Sequence, residues 1–300
     1  MNGLINVLKP TGMSSHDVVN FIRKTLKIKK VGHTGTLDPN AAGVLPVCLG
    51  KATRISEYLV DKTKEYRAEV TLGYKTDTQD KYGNIICSSS SEVTEADIIK
   101  AFNKFIGEIE QIPPMFSAVK YKGKKLYELA RSGIEISRKP RKVIIHDIKI
   151  VNIKNCKKIL FDVRCSKGTY IRTLCNDIGE CLNTYGFMSF LLRTRVGNFN
   201  IYDSFTIEEI EELSHYGDVS TIIKPIDYAL EKFESINFEG KYYKSLVNGG
   251  SISINKTKLD NCRYKRFDLV RVYCNSEFIG VGKVIIDKGK KYIKMEKVLI

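Results

Sequence analysis

Apolar residues form two kinds of run along this chain, and the spacing within each run predicts its secondary structure. Strand-length apolar runs bounded by turn-forming residues predict β-strands at 66–74, 143–153, 159–165, 269–275 and 278–286. Helical spacing predicts helices at 15–26, 94–105, 126–132, 173–182 and 206–213. Thr94 is a suitable N-cap residue, and glutamates follow Thr206 in the first turn of its predicted helix. The pattern therefore predicts an α+β protein built on a large sheet.

Two segments interrupt this pattern. Residues 84–92 are polar and rich in serine, which predicts an exposed loop before the helix at Thr94. Near residue 231 an acidic helix gives way to a basic, strand-rich tail that contains a turn at Gly249-Gly250. We therefore expect one domain at 1–230 and a second, smaller one at 231–300.

The net charge of +15 comes from two patches. Residues 115–150 hold 10 basic and 3 acidic side chains, and residues 232–300 hold 15 and 7, while the rest of the chain is neutral overall. Confined positive patches are typical of proteins that bind a phosphate backbone. An anionic lipid surface is less favoured because neither patch forms a broad amphipathic helix, and a merely solvated lysine-rich surface stays open.

The absence of targeting patterns and the spacing of the cysteines indicate the compartment and the redox state we expect for the protein. The apolar run at residues 4–8 is too short for a secretory signal, and no run approaches the length of a membrane span, so we expect a cytoplasmic protein without a membrane partner. The eight cysteines include no Cys-x-x-Cys pair, which argues against zinc and against a disulfide framework. We expect reduced, mostly buried thiols.

The most distinctive local feature is Gly-His-Thr-Gly-Thr-Leu-Asp-Pro at residues 32–39. Gly32 and Gly35 permit unusual backbone angles, and Pro39 restricts the chain directly after Asp38. Taken alone, such a cluster is most often a surface turn. Here a helical pattern precedes it and an apolar run at 41–49 follows it, which favours a loop that presents Asp38 for chemistry.

This loop and further motifs in the same order resemble the bacterial tRNA pseudouridine-55 synthases of the TruB family, over about two thirds of the chain. The other motifs are Lys9-Pro10-Thr11-Gly12-Met13-Ser14-Ser15, Lys64-Glu65-Tyr66-Arg67, Gly73-x-x-Thr76-Asp77-Thr78-x-Asp80-x-x-Gly83, Pro113-Pro114-x-x-Ser117-Ala118-x-Lys120, Cys165-Ser166-Lys167-Gly168-Thr169-Tyr170-Ile171-Arg172 and Leu191-x-Arg193-Thr194-x-Val196-Gly197-x-Phe199.

The resemblance implies the pseudouridine-synthase fold, with a large central mixed or antiparallel sheet flanked by helices and a small C-terminal β-rich, PUA-like domain that helps to bind RNA. It implies an isomerase that flips a uridine out of the tRNA T-loop and converts it to pseudouridine at position 55, using neither metal nor cofactor. The implied partner is tRNA, through its T-loop and stem. Since nothing in the sequence indicates a coiled coil or a large exposed apolar face, we expect a monomer with no obligatory protein partner.

The resemblance also assigns roles to individual residues. Asp38 matches the nucleophile, and Arg172 matches the arginine that would hold its carboxylate through charge-assisted hydrogen bonds. Tyr66 matches a tyrosine that stacks on the target base, Tyr170 and Leu191 match residues that wall the uracil pocket, and His33 matches a histidine that contacts the flipped region. Without the resemblance, Tyr66, Tyr170 and Leu191 would be core residues, His33 a local hydrogen-bonding residue and Arg172 a surface or phosphate-binding arginine.

Residues 115–150 match a mobile insertion that closes over the T-loop, so we expect phosphate contacts from its lysines. The residues expected to bind RNA are Lys9, Lys120, Lys122, Lys124 and Lys125. Many family members carry Ala-His where this chain has Gly186-Phe187, so the contact made by that histidine stays open. Two other functions also stay open, a non-catalytic RNA-binding module and a pseudouridine synthase that acts on another RNA.

Overall fold

The computed structural model of the chain describes residues 1–60, 63–254 and 264–300. Its strands, in chain order, are β1 (Gly3–Lys9), β2 (Val31–His33), β3 (Ala42–Leu49), β4 (Lys64–Leu72), β5 (Tyr74–Thr76), β6 (Ile85–Ser88), β7 (Gly107–Gln111), β8 (Lys120–Tyr121), β9 (Lys124–Lys125), β10 (Arg141–Lys154), β11 (Lys158–Cys165), β12 (Gly186–Val196), β13 (Phe199–Asn200), β14 (Glu234–Phe238), β15 (Ser251–Ser253), β16 (Leu269–Cys274), β17 (Glu277–Asp287) and β18 (Lys290–Val298). Its α-helices are α1 (Ser15–Thr25), α2 (Ser56–Val60), α3 (Glu95–Asn103), α4 (Leu126–Arg131), α5 (Ile171–Cys181), α6 (Ile207–Tyr216) and α7 (Tyr243–Val247).

Nine strands form the central sheet. Its order is β1-β3-β12-β4-β11-β10-β7, with β2 paired to β3 and β13 paired to β12. The pairs are antiparallel except β12 with β3, where Leu192 lies opposite Ala42. The predicted α+β class with a large mixed sheet is therefore confirmed.

The helices form where local signals specify their first turns. Ser14, Thr94 and Thr206 each close a capping box at the start of α1, α3 and α6. Helices α3 and α5 cover one face of the sheet, where Phe102 and Leu174 lie in one apolar cluster with Phe161 of β11. Because strand residues alternate between faces, Tyr66, Ala68 and Val70 of β4 point into this core while the residues between them lie outside it.

A second sheet follows at Glu234, in the order β14-β16-β17-β18-β15. It does not stand apart from the first, because Val281 and Leu299 pack in one apolar cluster with Leu4 and Val44 of the central sheet. The Tyr273 hydroxyl also donates to an Asp227 carboxylate oxygen at 2.7 Å.

Two sequence-based expectations need correction. The predicted loop at 84–92 contains β6, whose exposed residues pair with β5 in a two-stranded ribbon. The candidate RNA-binding insertion at 115–150 is too long at its C-terminal end, because residues 141–150 belong to β10. That strand is hydrogen-bonded to β7 and β11 in the central sheet, so only the part before Arg141 is a separate excursion.

The cysteines in the described part of the chain are free thiols. Cys48, Cys165, Cys175 and Cys274 are buried, whereas Cys87 is exposed. Cys262 lies outside the described residues. Among the helices of the described residues, none is both long enough and apolar enough to cross a bilayer.

Candidate active site

The loop between β2 and β3 carries Asp38 and is fixed to the start of α1. The Ser15 hydroxyl accepts a hydrogen bond from the Leu37 amide at 2.8 Å, and the Gly12 amide donates to the Pro39 carbonyl at 2.9 Å. Within the loop, the Ala41 amide donates to the Asp38 carbonyl at 3.0 Å. These bonds hold the backbone on both sides of Asp38, as expected for a loop that presents one carboxylate at a defined angle.

Arg172 binds the Asp38 carboxylate through two nitrogens. Its Nε lies 3.0 Å from Oδ2, and its Nη2 donates to Oδ1 at 3.3 Å. The arginine side chain is 6% exposed, whereas the aspartate side chain is 40% exposed. The carboxylate is therefore reachable from outside while its partner is buried, and this pairing of Asp38 with Arg172 is the one that the resemblance implies.

The same guanidinium binds two further segments. Nη2 donates to the Phe116 carbonyl at 2.8 Å, and Nη1 donates to the Thr78 carbonyl at 3.3 Å. An Asp80 carboxylate oxygen lies 4.0 Å from Nη1. Asp80 was missed as a site residue, although it stands in one of the motifs, because nothing in the sequence places it beside Arg172.

An apolar wall completes the site. Tyr66 and Leu191 lie in one buried cluster with Leu37 and Ala41, which flank the aspartate in the loop. Burial raises the pKa of the Tyr66 phenol to about 12, so the hydroxyl keeps its proton at neutral pH. The structure therefore brings the predicted stacking residue, Tyr66, and one of the two predicted wall residues, Leu191, into one cluster with the Asp38 loop.

Tyr170 and His33 are held by hydrogen bonds outside the Asp38–Arg172 pair. Tyr170 is the N-cap residue of α5, and its backbone amide and carbonyl bind the Gln111 side chain at 3.0 and 3.2 Å. The His33 Nδ1 accepts a hydrogen bond from the Gly35 amide at 3.3 Å. Burial, with a smaller contribution from Arg193, lowers the pKa of His33, which favours a neutral ring.

Lys9 does not have the place expected of an RNA-binding lysine. Its side chain is fully buried, and its Nζ donates to the carbonyls of Met13 at 2.6 Å, Pro10 at 2.7 Å and Pro39 at 3.1 Å. A group enclosed in this way is out of reach of a phosphate. Lys9 instead joins the β1–α1 connection to the Asp38 loop, so its assignment as an RNA contact was wrong.

We predict that Lys9→Met lowers the free energy of unfolding by about 2–4 kcal/mol, because three carbonyls lose a charged donor. Denaturant unfolding measures this loss. The salt dependence of RNA binding should stay unchanged, and a reduced slope would restore Lys9 as a phosphate contact.

The same variant tests the titration of Lys9. Burial lowers the pKa of its ammonium to about 8 against the opposing effect of Asp38, from 10.5 in an unfolded chain. Between pH 8 and 10.5 the unfolded chain holds a proton that the folded chain has released, so this group makes stability rise with pH. The stability difference between wild type and Lys9→Met should therefore grow across that window.

Arg193 is a second residue that the sequence analysis left without a role. It is 1% exposed, and its guanidinium donates to the carbonyls of Val44 at 2.7 Å, Gly35 at 3.1 Å and Thr36 at 3.4 Å. Arg193 lies directly opposite Tyr66 on the neighbouring antiparallel strand. Its position inside a strand motif gave no indication that a charged side chain would be buried there.

The remaining candidate lysines occupy a hairpin that projects before β10. Lys122 and Gly123 both have positive φ and form the turn between β8 and β9. Lys120, Lys122 and Lys124 are exposed, and Lys125 is half-buried, with its Nζ 3.3 Å from the Tyr127 hydroxyl. The segment that carries this hairpin also carries Phe116, which contacts Arg172.

Phe187 lies opposite Thr71 on β4, and its neighbour Met188 packs in the apolar cluster. By strand alternation the Phe187 ring points to the other face of the sheet. Within 1–60, 63–254 and 264–300 no group of three or more His, Cys, Asp or Glu side chains is placed to bind a metal ion.

Comparison with protein families yields two adjoining matches. Residues 23–171 match the TruB family pseudouridylate synthase N-terminal domain, and residues 172–231 match the tRNA pseudouridylate synthase B C-terminal domain. The junction of the two falls within α5, next to Arg172 in the candidate site.

Full-length relatives are similar. The chain is 50% identical to tRNA pseudouridine synthase B of Alkaliphilus oremlandii, over 100% of this chain and 99% of the relative. It is 46% identical to the protein of the same name from Clostridioides difficile, over 100% of both chains.

Solved structures show a similar fold. A Cbf5-Nop10-Gar1 complex contains a chain with a TM-score of 0.77 and 30% identity, covering 99% of this chain and 85% of that one. An H/ACA RNP bound to a substrate RNA containing 2'-deoxyuridine contains another, with a TM-score of 0.76, 28% identity and the same coverage.

Proposed function

The chain belongs to the TruB family of pseudouridine synthases, and on that premise we propose that it converts one uridine of the tRNA T-loop, at position 55, to pseudouridine. Tyrosine, arginine and leucine side chains around Asp38 would receive the flipped base. The relatives named tRNA pseudouridine synthase B support tRNA as the substrate. The position in the T-loop and the role of Asp38 are our proposals.

One observation carries this proposal: a half-exposed carboxylate held by a buried arginine beside an apolar wall. Charge-assisted bonds from Arg172 fix both oxygens of Asp38. Tyr66 and Leu191 supply flat and aliphatic surfaces for a base that has left its stack. A surface turn or a core ion pair has no need for this combination of access and rigidity.

Pseudouridine formation needs no redox change. The bond between C1′ of the ribose and N1 of uracil breaks, the ring turns, C5 bonds to C1′, C5 loses its proton to solvent and N1 gains a proton. We propose that Asp38 acts as the nucleophile in this reaction, since a carboxylate can form a covalent adduct with either the ribose or the ring. In the flipped state we propose that His33 contacts the space vacated by the base.

The hairpin lysines are proposed to contact phosphates around the T-loop. Each phosphate neutralised by one lysine contributes about 0.7–0.9 to the slope of log affinity against log salt concentration. We predict that Lys122→Ala and Lys124→Ala each reduce the slope by about that amount without changing the rate of the bound complex. Filter binding of tRNA between low and moderate salt measures it.

Lys142→Ala is the matched control for this prediction. Lys142 is equally exposed and lies in the same basic stretch, but its Nζ is paired with Glu108 at 2.7 Å on β7. Its removal should leave the slope unchanged. A reduction as large as that of Lys122→Ala would show a general charge effect instead of hairpin contacts.

The second sheet is proposed as a PUA-like RNA-binding domain at 231–300. The exposed Phe267 ring supports this role, because Arg266 and Lys283 lie 4.8 and 5.3 Å from its centroid. An aromatic ring flanked by cations suits stacking on an unpaired base. We propose that the protein acts as a monomer without an obligatory protein partner.

The experiment that tests the proposed position is a map of pseudouridine in a treated tRNA transcript. Carbodiimide modification followed by primer extension locates each pseudouridine to one nucleotide. We expect a single new stop, at uridine 55. Stops elsewhere in tRNA would overturn the position, and tight binding with no stop would favour a non-catalytic RNA-binding module.

A further inference from the structure

The loop at residues 77–84, between β5 and β6, is tied to the candidate site through Asp80. One Asp80 oxygen, Oδ2, lies 4.0 Å from Arg172 Nη1. The other oxygen, Oδ1, accepts hydrogen bonds from the Thr78 hydroxyl at 2.7 Å and from the Tyr82 amide at 3.0 Å. This carboxylate therefore joins the backbone of Tyr82 to the guanidinium of the candidate site.

Two further contacts fix the backbone of this loop. The Lys81 amide donates to the Met188 carbonyl of β12 at 3.0 Å. A Cβ atom at Gly83 would lie 2.3 Å from Asp77 Oδ1, so the turn is closely packed and has no room for a side chain there. Tyr82 is thus carried by a loop that holds it at a fixed place beside the site.

The side chain of Tyr82 is exposed although its backbone is fixed. The residue is 57% exposed, and the Lys81 Nζ lies 5.1 Å from the centroid of its ring. Proteins that bind unpaired nucleotides combine such groups, because an aromatic ring stacks on a base while a cation neutralises a phosphate of the same strand.

A second segment bound to the same guanidinium carries the same combination. Arg172 donates from Nη1 to the Thr78 carbonyl at 3.3 Å and from Nη2 to the Phe116 carbonyl at 2.8 Å. In the hairpin that follows Phe116, Tyr121 is 42% exposed and the Lys122 Nζ lies 5.6 Å from its ring centroid. Each of the two segments that meet at Arg172 therefore presents a tyrosine–lysine pair to solvent.

A base that leaves its stack creates a need for such a ring. When a uridine turns towards Asp38, the base next to it in the RNA loop loses a stacking partner. An aromatic side chain that takes up the exposed face of this base offsets the loss. Because every base has a flat face, this contact does not depend on the identity of the base.

We propose that Tyr82 is a stacking platform for one unpaired base that neighbours the flipped uridine, and that Lys81 contacts the phosphate beside that base. This inference rests on the proposed function. It adds to that function an RNA contact on a segment outside the basic patches at 115–150 and 232–300.

The test measures the binding of synthetic T-arm RNAs in which one unpaired nucleotide next to the target is replaced by an abasic residue. Every protein carries Asp38→Asn, so that the RNA is not converted during the measurement. We expect Tyr82→Ala to weaken binding of the intact RNA about 10-fold, whereas Tyr82→Phe, which keeps the ring, should stay within about twofold. With one abasic RNA, Tyr82→Ala should cause no loss beyond that of the missing base.

Tyr216→Ala is the matched control. Tyr216 is 70% exposed at the end of α6, where its ring centroid lies 5.5 Å from that of His215, and it belongs to neither segment at Arg172. Its removal should leave the affinity for every RNA unchanged. Lys81→Ala should reduce the slope of log affinity against log salt concentration by about 0.7, the contribution of one phosphate in a single strand.

An unchanged affinity of Tyr82→Ala for the intact RNA would overturn the inference. The same loss with every abasic RNA would also overturn it, because Tyr82 would then stack on none of the bases. If Tyr82→Ala does not fold, Tyr82→Leu, which is apolar but has no ring, is measured instead and should show the same pattern. Wild-type protein that binds these RNAs but forms no pseudouridine would contradict the proposed function, whereas the binding comparison tests this inference by itself.

Discussion

The Asp38→Asn variant is expected to lose at least about 10⁴-fold of the single-turnover rate of pseudouridine formation, because an amide oxygen cannot form the covalent adduct. Its tRNA affinity should stay within about threefold of wild type, since removing one acidic group does not weaken a basic interface. Arg172 keeps its bonds to the Phe116 and Thr78 carbonyls in this variant, so the fold of the site should persist. Rapid-quench kinetics and filter binding measure the two quantities.

Asp162→Asn is the matched control for this change. Asp162 is also held by an arginine, with Arg67 nitrogens 2.8 Å from both carboxylate oxygens, but the pair lies on the exposed face of the sheet. Its rate should equal that of wild type. Retention of more than a tenth of the wild-type rate by Asp38→Asn would mean that another group performs the chemistry.

The second large effect is expected for Arg172→Lys, which should lower the single-turnover rate about 10²–10³-fold. A lysine offers a point charge and cannot grip both Asp38 oxygens while also binding the Phe116 and Thr78 carbonyls. Loss of a donor from these carbonyls should also lower the free energy of unfolding by about 1–3 kcal/mol. Rapid-quench kinetics and denaturant unfolding measure the two effects.

Arg67→Lys, in the exposed pair with Asp162, is the corresponding control and should change neither quantity measurably. If Arg172→Lys kept a rate within tenfold of wild type, the contacts from two arginine nitrogens to Asp38 would not be needed for the reaction. If it lost tRNA affinity instead of rate, Arg172 would be a phosphate contact, which the sequence left open.

What could be predicted from the sequence depends on the range of the interactions involved. Capping boxes and apolar spacing act within a few residues, so α1, α3 and α6 were predicted close to their observed bounds. The loop around Asp38 could be predicted for the same reason, because the residues that define it are neighbours in the sequence. Strand β6 was missed because it pairs with β5 in an exposed two-stranded ribbon. All its residues are exposed, so its sequence shows no alternation of buried apolar and exposed polar side chains.

The errors at the site come from long-range contacts. Lys9 was assigned to RNA because lysines are usually exposed, but its Nζ also binds the Pro39 carbonyl, which meets Lys9 only in the folded chain. The same holds for Asp80 and Arg193. Their neighbours Arg172 and Gly35 are about a hundred residues or more away in sequence, and no local spacing could bring them together.

Arg172 connects Asp38 to the segment that leads to the hairpin proposed to bind RNA. One nitrogen, Nη2, contacts both an Asp38 oxygen and the Phe116 carbonyl, and Phe116 lies in the segment that leads to the hairpin lysines. A movement of that segment on RNA binding would therefore shift the Arg172 nitrogen that holds the Asp38 carboxylate. In the proposed function, positioning of the nucleophile and docking of the RNA would therefore share one guanidinium.

The most direct test of the central claim is tritium release from a tRNA transcript labelled at C5 of its uridines. Wild-type protein should release one equivalent per tRNA, whereas Asp38→Asn should release none, and a transcript with cytidine in place of the T-loop uridine should release none with either protein. Release that persists in the cytidine transcript, or in the Asp38→Asn variant, would contradict the account of an Asp38-dependent synthase acting on that uridine.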